Sequence, residues 1–161
     1  MSKEEFTAIA EKYMDTIYRV AYSWTKNLDD ANDVTQDVLI QLYKTPKEFE
    51  SDSHLKNWLI RVTVNQCKML FRSPWRKIED IGEYAETLEF EEESYLDLFQ
   101  AVMELDKKYR VPVLLFYYER YSTAEIASIL KIPEKTVSTR LFRAKAKLKN
   151  YLKEQSGDMS R

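Results

Sequence analysis

A chain of 161 residues that is 44% hydrophobic and 32% charged, with only 2 Gly and 4 Pro, favours a helix-rich protein over a sheet or a disordered chain. Its longest apolar run, Val111 to Tyr118 around Pro112, is far short of the roughly 20 residues a membrane span requires, and Met1 to Thr16 lacks a signal peptide's apolar centre. The net charge of -2 averages three unlike segments: residues 1–78 hold 12 basic and 11 acidic groups, 79–106 hold none and 11, and 107–161 hold 13 and 5. An all-α protein of the cytoplasm, with no direct membrane insertion, is expected. Cys67 is the only cysteine, which excludes an internal disulfide and reads as a small buried apolar group.

The first predicted helix opens on a capping-box pair, Ser2 and Glu5, and runs through Phe6, Ile9, Tyr13, Ile17, Val20 and Trp24 at spacings of three and four. After a turn over Lys26 to Asp29, Ala31, Val34, Val38 and Leu42 repeat the pattern. The polar side of that second helix carries Asp30, Asp33, Gln36 and Asp37. With no His beside them and no loop to wrap an ion, these carboxylates suit a solvated face or a protein contact better than a metal. A third helix opens near Ser53 and places Leu55, Leu59, Val62 and Met69 inward, with a second stripe of Trp58, Arg61, Asn65, Lys68 and Arg72 at spacings of three and four. An aromatic ring in line with cations suits single-stranded DNA, because a base stacks on the ring while the cations follow the backbone. A Trp at the core edge beside a solvated basic face fits the same pattern. The first domain is therefore assigned to residues 1–75.

Residues 76–94 are short of periodic apolar groups and rich in Glu, and read as an acidic linker. The second domain, 95–155, holds a helix around Tyr95 to Leu105 and another with Val113, Leu114 and Tyr117, kinked or started by Pro112, which lacks an amide hydrogen. A helical pair follows, and residues 156–161 form a disordered tail. The pair has a capping box at Ser122 and Glu125, a turn of about three residues marked by Pro133, and a core stripe of Val137, Leu141, Ala144 and Leu148. The opposite face carries Lys135, Thr139, Phe142 and Arg143, flanked by Ser138, Arg140 and Lys147. From Lys131 to Lys153 there are eight basic residues and one acidic. A plain helical hairpin explains a basic face but gives the outward Phe142 no role. In a DNA major groove an aromatic edge packs on a thymine methyl while Arg or Lys meets base edges and phosphates.

Together these segments resemble the extracytoplasmic-function sigma factors, compact two-domain initiation subunits of bacterial RNA polymerase within the sigma-70 superfamily. The likeness covers nearly the whole chain. "DDANDVTQDV" stands in place of the family's region 2.2, "NWLIRVTVN" in regions 2.3 and 2.4, and "STAEIASILKIPEKTVSTRLFRAKAKL" in region 4.2. The resemblance implies that Asp33, Gln36 and Asp37, with Asp30 beside them, dock on the polymerase core. It implies that the first domain opens the minus-ten promoter element, with Phe49 in the loop "FESDSHL" helping to enclose a flipped base and Arg61 and Asn65 on the non-template strand; Trp58, Lys68 and Arg72 of the same stripe are assigned to that DNA beside them. It further implies that the second domain reads the minus-thirty-five duplex through Ser138, Thr139, Phe142 and Arg143, beside Lys135, Arg140 and Lys147. Ser138 departs from the family pattern, which usually has Lys or Arg after "TV". The implied partners are core polymerase, promoter DNA and an anti-sigma factor, with no cofactor.

The chain has no Gly-rich phosphate loop and no nucleophile-His motif, and His54, its only histidine, reads as a solvated or capping residue, so no enzyme is expected. A stand-alone helix-turn-helix regulator is the alternative. Such a protein binds a palindrome unaided as a dimer, because half-site symmetry mirrors protein symmetry.

Overall fold

The structure, a computed structural model, describes residues 1–46, 48–72 and 93–159, with side chains over 98–153 in the last stretch. The chain divides into two compact units, Met1–Glu79 and Asp80–Arg161. All regular structure among the described residues is helical.

The first unit is a bundle of α1 (Lys3–Thr25), α2 (Leu28–Lys44) and α3 (Asp52–Leu70), each packed on the other two. The Ser2 and Glu5 capping box is formed in both directions at the start of α1. Helix α1 ends on Lys26, a left-handed residue at φ 47° whose amide donates to the Tyr22 carbonyl. Asn27 then caps α2 by accepting from the Asp30 amide at 2.9 Å, so this helix begins inside the segment expected to be a turn. Ile17, Val20, Ala31, Val38, Leu42 and Leu59 fill the core, as their spacing predicts, together with Val64 and with Cys67, the expected small buried group. The last turn of α1 is buried on every side, polar groups included, and Ser23 and Thr25 satisfy their hydroxyls on the Val20 and Ala21 carbonyls. One inward assignment is wrong. Met69 is 61% exposed and follows Asn65 by four residues on the outer stripe of α3, because the helix end reaches past the bundle's apolar partners.

The second unit contains α4 (Glu93–Met103), α5 (Lys107–Val113), α6 (Thr123–Leu130) and α7 (Glu134–Met159). Helix α7 packs against the other three. Pro112 neither starts α5 nor ends it. It sits in the last turn, and the chain passes directly into a π-helical turn, Leu114–Tyr118, closed by the Glu119 amide on the Leu114 carbonyl at 3.1 Å. Widening the helix to five-residue spacing follows a position that has no amide to donate. Beyond it α6 starts on a complete capping box, Ser122 with Glu125. The expected core stripe of α7 is buried at all four positions, as are Ile126, Ile129, Leu114 and Leu115. The linker assigned to 76–94 lies outside the described residues up to Glu93, where α4 begins, and α7 continues through Met159 into the segment assigned as a tail.

Replacing the Ser122 hydroxyl removes the acceptor for the Glu125 amide, so Ser122→Ala should lower the stability of the second unit by about 1 kcal/mol. Urea unfolding followed by circular dichroism reads this directly. An unchanged midpoint would mean that solvent caps the helix equally well.

Candidate nucleic-acid interface

The helix-turn-helix consists of α6, the three residues Lys131 to Pro133, and α7. Lys131 takes the left-handed conformation at φ 58°, and both its own amide and that of Ile132 return to the Ala127 carbonyl, which stops α6 without a glycine. Pro133 directly precedes α7 and its carbonyl accepts the first helical bond, from Val137, so the proline ring lies where no donor is needed. The Thr123 hydroxyl donates to Glu134 Oε1 at 2.8 Å and ties the two helix starts together.

Held in this way, α7 turns its basic side to solvent. Phe142 is 78% exposed, and Lys135, Ser138, Thr139, Arg143 and Lys147 are exposed around it, with Arg140 half-buried. Lys135, Thr139, Arg140 and Arg143 also line one cleft of about 550 Å³, together with Pro133, Thr136, Lys108 and Tyr109. Ser138 and Phe142 lie outside it. Lys108 and Tyr109 were not legible as members, because they come from α5, some twenty-five residues upstream of the recognition helix. Tyr109 is buried beneath the cations, with Lys108 Nζ 5.1 Å and Lys147 Nζ 5.6 Å from its ring centroid. Such contacts attract a cation to an aromatic face and orient it.

In the first unit, Arg61, Asn65 and Arg72 are exposed along α3 and the turn that follows it, while Trp58 and Lys68 are half-buried. The loop before α3 brings Phe49 to this row, its ring centroid 5.6 Å from that of Trp58 at an interplanar angle of 63°. Helix α3 is pinned to α1 where it begins: Lys12 Nζ donates to Asp52 Oδ2 at 3.1 Å, and the Tyr13 hydroxyl to the Asp52 carbonyl at 3.5 Å. The hydrogen bond to Asp52 raises the Lys12 pKa above its ordinary value, so the ammonium keeps its charge at neutral pH.

On α2, Asp33, Gln36 and Asp37 are exposed in one strip, whereas Asp30 is half-buried in the first turn. There its charge complements the helix dipole. The strip continues into Ile40, 50% exposed, and Tyr43, 53% exposed. Neither belongs to the inward set of Ala31, Val34, Val38 and Leu42, and the four-residue step from Gln36 to Ile40 was the signal that could have added them to the strip. Among the described residues no group of three His, Cys, Asp or Glu is arranged to hold a metal, and no helix is long and apolar enough to cross a membrane.

A small helical bundle followed by a unit with a helix-turn-helix defines a class, and the sequence families agree with it. Residues 9–77 match Sigma-70 region 2, and residues 95–148 match Sigma-70, region 4. The chain is 31% identical to the RNA polymerase sigma factor SigV of Bacillus subtilis, over 86% of this chain and 84% of that protein. It is 26% identical to the ECF RNA polymerase sigma factor SigW of the same species, over 94% and 91%. Its fold is similar to that of the sigma factor RpoE solved in complex with the anti-sigma factor NepR from Bartonella quintana, with a TM-score of 0.69 at 21% identity, over 93% of this chain and 98% of that one. The chain belongs to the extracytoplasmic-function sigma factors of the sigma-70 family. It is an RNA polymerase sigma factor, a transcription-initiation protein with a DNA-binding helix-turn-helix.

Because Phe142 supports nothing in the core, Phe142→Ala should leave unfolding free energy within about 0.5 kcal/mol of wild type. A larger loss in a denaturant titration would give the ring a structural role and remove the reason for assigning it to DNA.

Proposed function

We propose that this sigma factor binds core RNA polymerase through the α2 strip of Asp33, Gln36 and Asp37, opens the minus-ten element with its first unit, and reads the minus-thirty-five duplex with α7. The observation that carries the proposal is the outer face of α7, where an almost fully exposed Phe142 stands among cations. A solvated helix has no use for that ring, whereas a major groove offers it a thymine methyl. Arg143 and Thr139 are placed to reach base edges. Lys135, Arg140 and Lys147 are placed to neutralise phosphates, with Ser138 at the rim. If roughly four of these groups meet phosphates, the logarithm of affinity falls with the logarithm of salt at a slope of about -3.6.

In the first unit Phe49 and Trp58 form an aromatic pair against which an unstacked base can rest, while Arg61, Asn65, Lys68 and Arg72 follow the strand. Residues 1–75 are the opening domain, 76–94 an acidic linker, 95–155 the duplex-reading domain and 156–161 a tail. The protein works in the cytoplasm, where polymerase and promoters are. An anti-sigma factor holds it inactive, by likeness to the relative solved with NepR. The reading requires no cofactor.

The deciding experiment supplies bacterial core polymerase and a library of random promoters, and expects a defined set of transcripts that appears only with this protein. Unaided, dimeric binding to a palindrome would instead identify a stand-alone regulator. Asp33→Lys combined with Asp37→Lys should abolish retention on immobilised core polymerase with the circular dichroism spectrum unchanged; normal retention would move the docking face elsewhere. Arg143→Ala should weaken recognition at the upstream promoter element selectively, by about 1–3 kcal/mol. Equal loss on every DNA sequence would make Arg143 a phosphate contact instead.

A further inference from the structure

The loop that carries Phe49 is held by a histidine that none of these roles uses. His54 lies in the first turn of α3, three residues after the N-cap Ser51. Ser51 Oγ accepts from the His54 amide at 3.1 Å, which is one half of a capping box. The other half is displaced by one residue. His54 Nδ1 accepts from the Glu50 amide at 3.1 Å, where an ordinary box returns a Glu or Gln side chain to the amide of the N-cap itself.

The displacement matters because the Glu50 amide belongs to the peptide group that follows Phe49. The same imidazole meets the Phe49 ring edge-on, with centroids 5.4 Å apart at 70°. One side chain thus holds both the backbone of Phe49 and its ring, and the ring is delivered to Trp58. The support itself is firm, since the Lys12 and Tyr13 bonds to Asp52 fix the start of α3 on α1. On the α1 side of the loop Phe49 also lines a hollow with Met1, Ile9, Pro46 and Leu55, rimmed by Glu5, Glu48 and Asp52. Carboxylates at that rim disfavour a phosphodiester, whereas the Trp58 row carries cations.

We propose that His54 is a positioning residue that presents Phe49, braced against Trp58, to an unstacked base of single-stranded promoter DNA. The inference rests on the first-unit reading above and assigns the element that orders its aromatic pair.

The test uses the full chain assembled with core polymerase. Wild-type holoenzyme first selects a promoter from the random library, and the single non-template strand of that promoter then serves as the probe. His54→Ala, lacking both ring and acceptor, should bind the probe about tenfold more weakly. His54→Gln, which restores an ordinary capping box on Ser51 but holds neither the Glu50 amide nor the Phe49 ring, should bind about as weakly as His54→Ala, whereas wild-type affinity in it would reduce His54 to a cap. Both losses should vanish when Phe49 is already Ala, since a residue acting only through Phe49 has nothing further to lose. Losses that add to that of Phe49→Ala, or wild-type affinity in His54→Ala, overturn the proposal. Should His54→Ala fail to fold, the same cycle with His54→Gln decides, and additivity there overturns it equally. A wild-type holoenzyme that selects no promoter counts against the function reading, whereas additivity counts against His54 alone.

Discussion

The narrow apolar seam of α7 is the constraint on which the second unit depends. Val137, Leu141, Ala144 and Leu148 lie on one line and are all buried, and their transfer from water supplies about 1.5–3 kcal/mol for each of the larger side chains. That is enough to hold the helix against α4, α5 and α6 while occupying a minor part of its circumference. The rest is released from folding duty. A ring as large as that of Phe142 can then stand in solvent without loss to the core, and cations can gather round it. The seam and the outer face are two consequences of one 3.6-residue repeat.

The first unit divides its helices in the same way. Helix α2 sinks Ala31, Val34, Val38 and Leu42 and leaves a strip that begins acidic and ends apolar at Ile40 and Tyr43. A face that mixes carboxylates with half-exposed Ile and Tyr has the composition of a protein contact rather than of a purely solvated surface. Helix α3 sinks Leu55, Leu59 and Val64 and leaves its cations outside. The two outer faces have opposite charge, acidic on α2 and basic on α3.

Local backbone devices set where these faces point. Left-handed Lys26 and Lys131 end α1 and α6 one and two residues before the position that precedes the next helix, so each turn stays short. The π turn after Pro112 carries the chain from α5 towards α6 through a widened helical turn rather than an open loop. Its partner α5 then sets Lys108 and buried Tyr109 beside the first turn of α7, so that the basic cleft draws on two elements.

The sequence by itself determined the helices, the two capping boxes, the proline before α7, the core stripes and, through the order of three motifs, the family. These features rest on hydrogen bonds and side-chain spacings that close within four or five residues, so the information lies in adjacent letters. Only the tertiary structure decided that Met69 faces outward, because periodicity marks an apolar residue without showing whether a neighbour reaches it. Only the fold, likewise, brought Lys108 and Tyr109 to the recognition helix. Those placements depend on how helices and loops meet in space, and burial against a partner distant in the chain is a property that no short stretch of sequence contains.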